Sequence, residues 1–187
     1  MSAAVALSVF THAAVAAGEV QAGVAKEQFV LPRRVPLAGF SKRKGAPSRG
    51  LHDPVGVRAL VLQDEGIRVA LVSCDLLIID ERLFDAVRAR LIEQGLPRDL
   101  VLMLAATHTH SGPGAYGKRF LEKISMGHFD PQVFDALVKA ISDAVIRAYA
   151  GRSPTRIASM TAATEGLVKN RMDPDGITDS ELRMTAF

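Results

Sequence analysis

The chain has 187 residues, enough for one domain with a sizeable core. Apolar residues make up 48% and charged residues 23%, with a formal net charge of +3, so neither a disordered nor a polybasic chain is expected. A single cysteine, Cys74, excludes a disulfide framework within the chain; no charge pattern beside it would lower its pKa, so it reads as a buried, inert thiol.

Residues 3–17 are almost all small or apolar and end in Ala13-Ala14-Val15-Ala16-Ala17 before Gly18-Glu19. This resembles the apolar core and cleavage site of a secretory signal, although no Lys or Arg precedes it and His12 interrupts it. We therefore expect residues 1–18 to be a leader or partial signal peptide, and the protein to be secreted or periplasmic. The run is too short to span a bilayer.

Gly18 to Val30 reads as extended, with Val20, Ala22 and Val24 alternating. Leu31 to Pro54 reads as a long loop rich in Pro, Gly and cations; Arg33, Arg34, Lys42, Arg43, Lys44 and Arg49 fall there with no acid among them. A solvated loop is the first reading of that stretch, and a phosphate or membrane-surface patch the second. No aromatic interleaving or helix-turn-helix pattern points to nucleic acid.

Val55 to Gln63 alternates as a strand, Asp64-Glu65-Gly66 reads as a tight turn, and Ile67 to Ile79 is densely apolar. Together they predict a hairpin whose second strand is central and covered on both faces. Asp80 is placed to cap a helix running to about Gln94, with Leu83, Phe84, Val87 and Leu91 as its apolar stripe. Leu100 to Ala106 reads as another buried strand, parallel to the previous one in a βαβ unit. Asp130-Pro131 opens a second helix that Gly151 closes, with Phe134, Leu137, Val138, Ile141 and Val145 at helical spacing. Thr155 to Thr161 and Glu181 to Phe187 read as further strands. The expected fold is therefore α/β, a mixed sheet with flanking helices and its site edge at the strand C-termini, in an incomplete domain.

Thr107-His108-Thr109-His110 follows the strand Leu100 to Ala106 and leads into Ser111-Gly112-Pro113-Gly114. Histidines at i and i+2 on an extended backbone share one side, so their imidazoles can converge on one ion or one substrate atom. The pair sits at the strand C-terminal edge, where open α/β sheets place their sites. Ser111 reads as a turn residue, since His110 beside it is badly placed to deprotonate it. Asp75 ends the other buried strand; it can either fix the tautomer of a metal-bound histidine or cap a neighbouring segment. His52 reads as a loop histidine bonded to Asp53, and His12 and His128 read as structural. Arg171, after Asn170, is an exposed arginine that can bind an oxygen-rich substrate group.

With these residues in view, the sequence resembles the N-terminal domain of the neutral/alkaline non-lysosomal ceramidases. The matching runs are Pro36-Leu37-Ala38-Gly39-Phe40, Gly50-Leu51-His52-Asp53-Pro54 with Val57-Arg58-Ala59, Ser73-Cys74-Asp75, Thr107 to Gly114, and Asn170-Arg171. The resemblance implies hydrolysis of the amide bond of N-acylsphingosine-like lipids with one Zn²⁺. It implies His108 as a zinc ligand, His110 as a catalytic residue facing the reacting water and substrate, and Arg171 as a substrate contact. It also implies a small-molecule lipid substrate, with transient contact at a membrane surface. The family's other zinc ligands (a histidine, a glutamate and a tyrosine) and its active-site serine lie downstream of the segments matched. The expectation is thus that residues 19–187 are the N-terminal portion of a catalytic domain, inactive alone because a catalytic zinc needs about three protein ligands. A related metallohydrolase of another substrate, or a binding module on the same scaffold, are the competing readings.

Overall fold

Alternating apolar residues and a two-residue turn build the central hairpin of the protein. The computed structural model describes residues 9–12 (by backbone), 20–32, 34–164 and 166–187. In chain order it contains β1 (Val9–His12), β2 (Gln21–Gln28), a 3-10 turn (Ser41–Arg43), β3 (Gly56–Asp64), β4 (Ile67–Cys74), α1 (Glu81–Glu93) and β5 (Val101–Ala106). These are followed by α2 (Phe120–Met126), α3 (Pro131–Ala150), β6 (Ser153–Pro154), β7 (Ala158–Ala163) and β8 (Glu181–Ala186). The leader expected over residues 1–18 falls mostly outside the described residues; only Val9–His12 within it is described, as a strand. Among the described residues no helix is long and apolar enough to cross a membrane.

The chain forms two compact units, Gln21–Ser153 and Pro154–Phe187 with the N-terminal residues to Val20. In the smaller unit β7 pairs antiparallel with both β1 and β8. In the larger unit the sheet order is β5-β4-β3-β2-β6, and α1 and α3 pack against each other. The β3–β4 hairpin closes with Asp64 opposite Ile67. Glu65 and Gly66 between them both have positive φ, 42° and 92°, as the tight turns that match strand twist require. β4 and β5 are parallel, in register from Val69 opposite Val101 to Cys74 opposite Ala106. The mixed α/β architecture, the hairpin and the βαβ unit are thus those expected from the sequence.

Both long helices begin as the sequence suggests. Asp80 accepts the Leu83 N–H at 2.8 Å, and Asp130 accepts the Gln132 N–H at 3.0 Å ahead of Pro131. Leu83, Val87 and Leu91 of α1 and Val133, Leu137, Ile141 and Val145 of α3 bury one stripe each against Val57, Ala59, Val61, Ala70, Val72 and Cys74 of the sheet. α2 was not anticipated: it is short, and three of its apolar residues face outward, so no helical stripe stands out.

The sheet differs from expectation in how it is covered. Among the described residues of this unit, the helices lie on one face. Val24 (75% exposed), Leu71 and Met103 (57%) crop out on the other face among the described residues. The strand β4 is central but covered on one face, and β5 is an edge strand rather than a buried one. In β2 the residue turned inward is Gly23 rather than Val24. Its lack of a side chain is what lets α3 approach: a Cβ on Gly23 would sit 2.0 Å from the Ala148 carbonyl oxygen. Dense hydrophobicity marks burial on both faces only when both faces have partners.

Adding that one methyl has a defined cost. Gly23→Ala should destabilise the protein by about 1–3 kcal/mol through forced separation of β2 and α3, seen as a lower urea midpoint at unchanged slope. Gly50→Ala, whose Cβ would meet nothing within 4 Å, should shift stability by less than about 0.5 kcal/mol. Equal effects at the two positions would refute the close approach.

Candidate active site

The site is built where β4 and β5 end side by side. The Thr107 N–H donates to the Cys74 carbonyl at 2.9 Å, carrying the parallel ladder one residue beyond β5. The next residue, His108, leaves the extended conformation, with φ +58° in the left-handed region. Histidine is among the side chains that tolerate that region better than most. The two rings meet, with centroids 5.3 Å apart, so the expected convergence holds but not by strand alternation. A left-handed kink at His108 brings the rings together.

Each ring is held by a different kind of contact. His108 Nδ1 lies 2.9 Å from the Leu77 carbonyl oxygen. A carbonyl can only accept, so Nδ1 carries the proton and a neutral His108 keeps the lone pair on Nε2. His110 stacks edge-to-face on Phe40, with centroids 5.2 Å apart, and lies directly over Gly39. A Cβ on Gly39 would fall 2.5 Å from His110 Cγ.

The loop 34–40 is in turn fastened to the turn that follows the histidines. Ala38 N–H donates to the Gly112 carbonyl at 3.1 Å, Gly114 N–H to the Pro36 carbonyl at 2.6 Å, and Gly39 N–H to the Ser125 carbonyl at 2.9 Å. Gly112 and Gly114 are glycines for closeness of backbone: a Cβ would meet the Asp75 carbonyl oxygen at 2.5 Å and that of Met126 at 2.3 Å, respectively.

Leu77 is fixed through its neighbour. Tyr116 is fully buried; its hydroxyl donates to the Ile78 carbonyl at 3.0 Å and accepts the Ile78 N–H at 3.2 Å. Burial pushes its pKa up to about 12, so it stays a neutral donor across the ordinary range. Arg82 of α1 donates to the Tyr116 backbone carbonyl. Leu77, Gly39, Phe40 and Tyr116 were not assigned roles from the sequence. Gly39-Phe40 lay in a family-like run, and a tyrosine just after a Gly-Pro-Gly turn was the available hint for Tyr116.

Asp75 does not meet either histidine. It accepts the Gly56 N–H at 3.0 Å and Arg58 Nη1 at 3.1 Å, which ties β3 to the end of β4. The task considered for Asp75, orienting the imidazole, belongs to the Leu77 carbonyl, and Asp75 follows its other reading as a capping group. Cys74 is buried, and burial, with the Asp75 charge second, pushes its thiol up to about 12. His52 is exposed, with Nδ1 2.7 Å from Asp53 Oδ2, and Ser111 is a turn residue whose N–H donates to Thr109 Oγ1 at 3.1 Å. Arg171 belongs to the smaller unit, exposed in the loop between β7 and β8. Asn170 before it accepts the Met172 and Asp173 N–H groups at 3.0 and 3.1 Å and so shapes that loop. Among the described residues no group of three or more His, Cys, Asp or Glu side chains is placed to hold a metal ion.

The family model for the neutral/alkaline non-lysosomal ceramidase N-terminal domain matches residues 31–173, which include His108, His110, Asp75 and Arg171. The chain belongs to this family. It is 33% identical to the neutral ceramidase of Pseudomonas aeruginosa over 127 residues, covering 66% of this chain and 19% of that protein. It is 27% identical to the neutral ceramidase of Mycobacterium tuberculosis over 141 residues, covering 72% of this chain and 22% of that protein. The crystal structure of the P. aeruginosa neutral ceramidase superposes with a TM-score of 0.80 at 27% identity, over 91% of this chain and 29% of that one. A ceramidase complexed with C2 superposes with a TM-score of 0.78 at 28% identity, again over 91% of this chain and 29% of that one. The chain thus spans 19% and 22% of the length of these two curated ceramidases.

Two measurements check this geometry. Nitrogen-15 NMR of the imidazoles should find neutral His108 as the Nδ1–H tautomer, because the Leu77 carbonyl accepts only; an Nε2–H tautomer would overturn the assignment. Tyr116→Phe should cost about 1–3 kcal/mol, since it strands the part-buried backbone groups of Ile78, and should broaden or shift the His108 signals.

Proposed function

We propose that the whole protein hydrolyses the amide bond of ceramide-like N-acylsphingosine lipids, releasing a fatty acid and a sphingoid base, with a zinc ion at the His108/His110 pair. The observation that carries this is the pair itself: two facing imidazoles within the family-matched residues, one tied by Nδ1 to a backbone carbonyl. A second argument is that a structural relative, the ceramidase complexed with C2, has a similar fold over 91% of this chain.

The donor chemistry fits zinc in part. A histidine whose Nδ1–H is held by a carbonyl offers a fixed Nε2 lone pair, the usual arrangement of a metal-binding imidazole. His108 fits that role. One ligating imidazole is fewer than the roughly three protein ligands of a catalytic zinc site, so further ligands must come from outside the described set. The metal, when bound, supplies Lewis-acid polarisation of the amide carbonyl and water acidic enough to lose its proton near neutral pH.

The remaining work falls to protein groups. His110, steadied by Phe40 and Gly39, faces the reacting centre and exchanges a proton with the attacking water or the departing amine. Arg171 contacts an oxygen of the substrate. The Cys74 thiol takes no part, because it stays protonated and buried. The lipid nature of the substrate also implies transient contact with a membrane surface. A secreted or periplasmic location completes the proposal and rests on the composition of residues 3–17.

Metal analysis and kinetics of the whole protein test the division of labour. His108→Ala should lose zinc and at least about a hundredfold in turnover, whereas His110→Ala should keep zinc and lose about 10²–10⁴ in kcat. Gly39→Ala should behave like His110→Ala, because the added Cβ displaces that ring. Unchanged zinc content in His108→Ala would remove the ligand assignment. A parent protein that cleaves short N-acyl amines but no ceramide would transfer the activity to another substrate class.

A further inference from the structure

We propose that α2 and the adjoining basic loop form a docking surface for an anionic lipid bilayer, bordering the histidine pair; this rests on the lipid-amidase proposal above. α2 turns Glu122 and Met126 inward and exposes Phe120 (75%), Leu121 (75%) and Ile124 (46%) on its outer side. Glu122 is buried and accepts the Arg119 N–H at 2.7 Å, so the one acid of this helix is withdrawn from the surface. Lys118, Arg119 and Lys123 are exposed around the same three apolar side chains.

The 3-10 turn Ser41–Arg43 packs against α2. One open cavity is lined by Arg34, Ser41 and Lys44 from the loop and by Lys123, Ile124 and Asp130 from α2 and beyond. Several cations elsewhere in this unit sit against acids: Arg58 on Asp75, Arg68 on Asp99, Arg90 and Lys139 on Asp143, Arg147 on Glu27. Among the described residues, no salt bridge joins Arg34, Lys42, Lys44, Arg119 or Lys123 to an acid; Lys118 lies over the Phe129 ring, and Lys118 and Arg119 share the rim of a cavity with Glu81 and Asp85. Three large exposed apolar side chains flanked by the exposed cations Lys118, Arg119 and Lys123 are complementary to a surface with acyl chains beneath anionic head groups. A soluble acidic partner would match the charge but not the bare Phe120 and Leu121.

The patch is joined to the site by backbone. Gly39 donates its N–H to Ser125 of α2 at 2.9 Å and lies beneath the His110 ring, and Phe40, half-exposed, touches that ring. A bilayer seated on α2 therefore lies beside the imidazole pair, and a lipid amide need travel little to reach it.

The test is co-sedimentation of the whole protein with phosphatidylcholine vesicles, with and without phosphatidylglycerol, at low and high salt. Binding should require phosphatidylglycerol and fall at high salt. The triple variant Phe120→Ser, Leu121→Ser, Ile124→Ser should bind at least about tenfold more weakly. The variant should hydrolyse detergent-dispersed ceramide like the parent, because none of the three residues touches the histidines, and should lose activity on vesicle-borne ceramide. Equal vesicle binding by variant and parent, no binding to phosphatidylglycerol vesicles at low salt, or a dimer that the variant dissolves would each overturn the docking surface. Failure of the parent on dispersed ceramide, with vesicle binding intact, would instead overturn the substrate and leave the surface standing.

Discussion

A single hydrogen bond, from His108 Nδ1 to the Leu77 carbonyl, is the constraint on which the site depends. It joins the segment after β5 to the segment after β4, the parallel pair whose C-terminal ends lie together. It also compensates for the left-handed backbone at His108, a conformation that a non-glycine residue keeps only where its surroundings hold it there. Everything near it serves to keep the two partners still. Tyr116 clasps both backbone groups of Ile78, the turn 112–114 is bonded to loop 36–38, and Gly39 gives His110 a flat bed.

The supporting layers follow from side-chain size. Small residues let backbones come close where the site needs it, at Gly112 and Gly114, and where the helix layer needs it, at Gly23. Large aliphatic residues of α1 and α3 then fill one face of the sheet. The opposite face of the sheet carries apolar side chains without a helix layer among the described residues, so it contributes little burial to this unit. The rigidity of the strand ends comes instead from the ladder of β4 with β5 and from the helices behind it.

What was legible in the sequence was local and periodic. Asp80 and Asp130 announced their helices because capping is settled within a few residues. Asp64-Glu65-Gly66 announced the hairpin because its turn needs positive φ. The histidine pair stood out because its residue types and its position after an apolar run are both unusual. What was not legible depended on contacts distant in sequence. Which face of β2 turns inward is decided by Ala148, far along the chain, and not by Val24 itself. That His108 kinks, and that a backbone carbonyl orients it, leaves no trace in side-chain identity. α2 escaped because its apolar residues point outward, which erases the stripe by which a buried helix is recognised.

The exchange of Asp75 for a carbonyl has an electrostatic consequence. A carboxylate bonded to His108 would fix the tautomer and also raise the basicity of the ring, adding negative charge beside a metal. The Leu77 carbonyl fixes the same tautomer with a neutral dipole. Asp75, meanwhile, is held by Arg58 and the Gly56 N–H at the end of the neighbouring strand, so its charge is neutralised within the scaffold. Among the described residues, the cations Arg34, Lys42, Lys44 and Lys123 form no comparable ion pair. The Leu77 carbonyl thus leaves His108 oriented by a backbone dipole rather than by an acidic cluster.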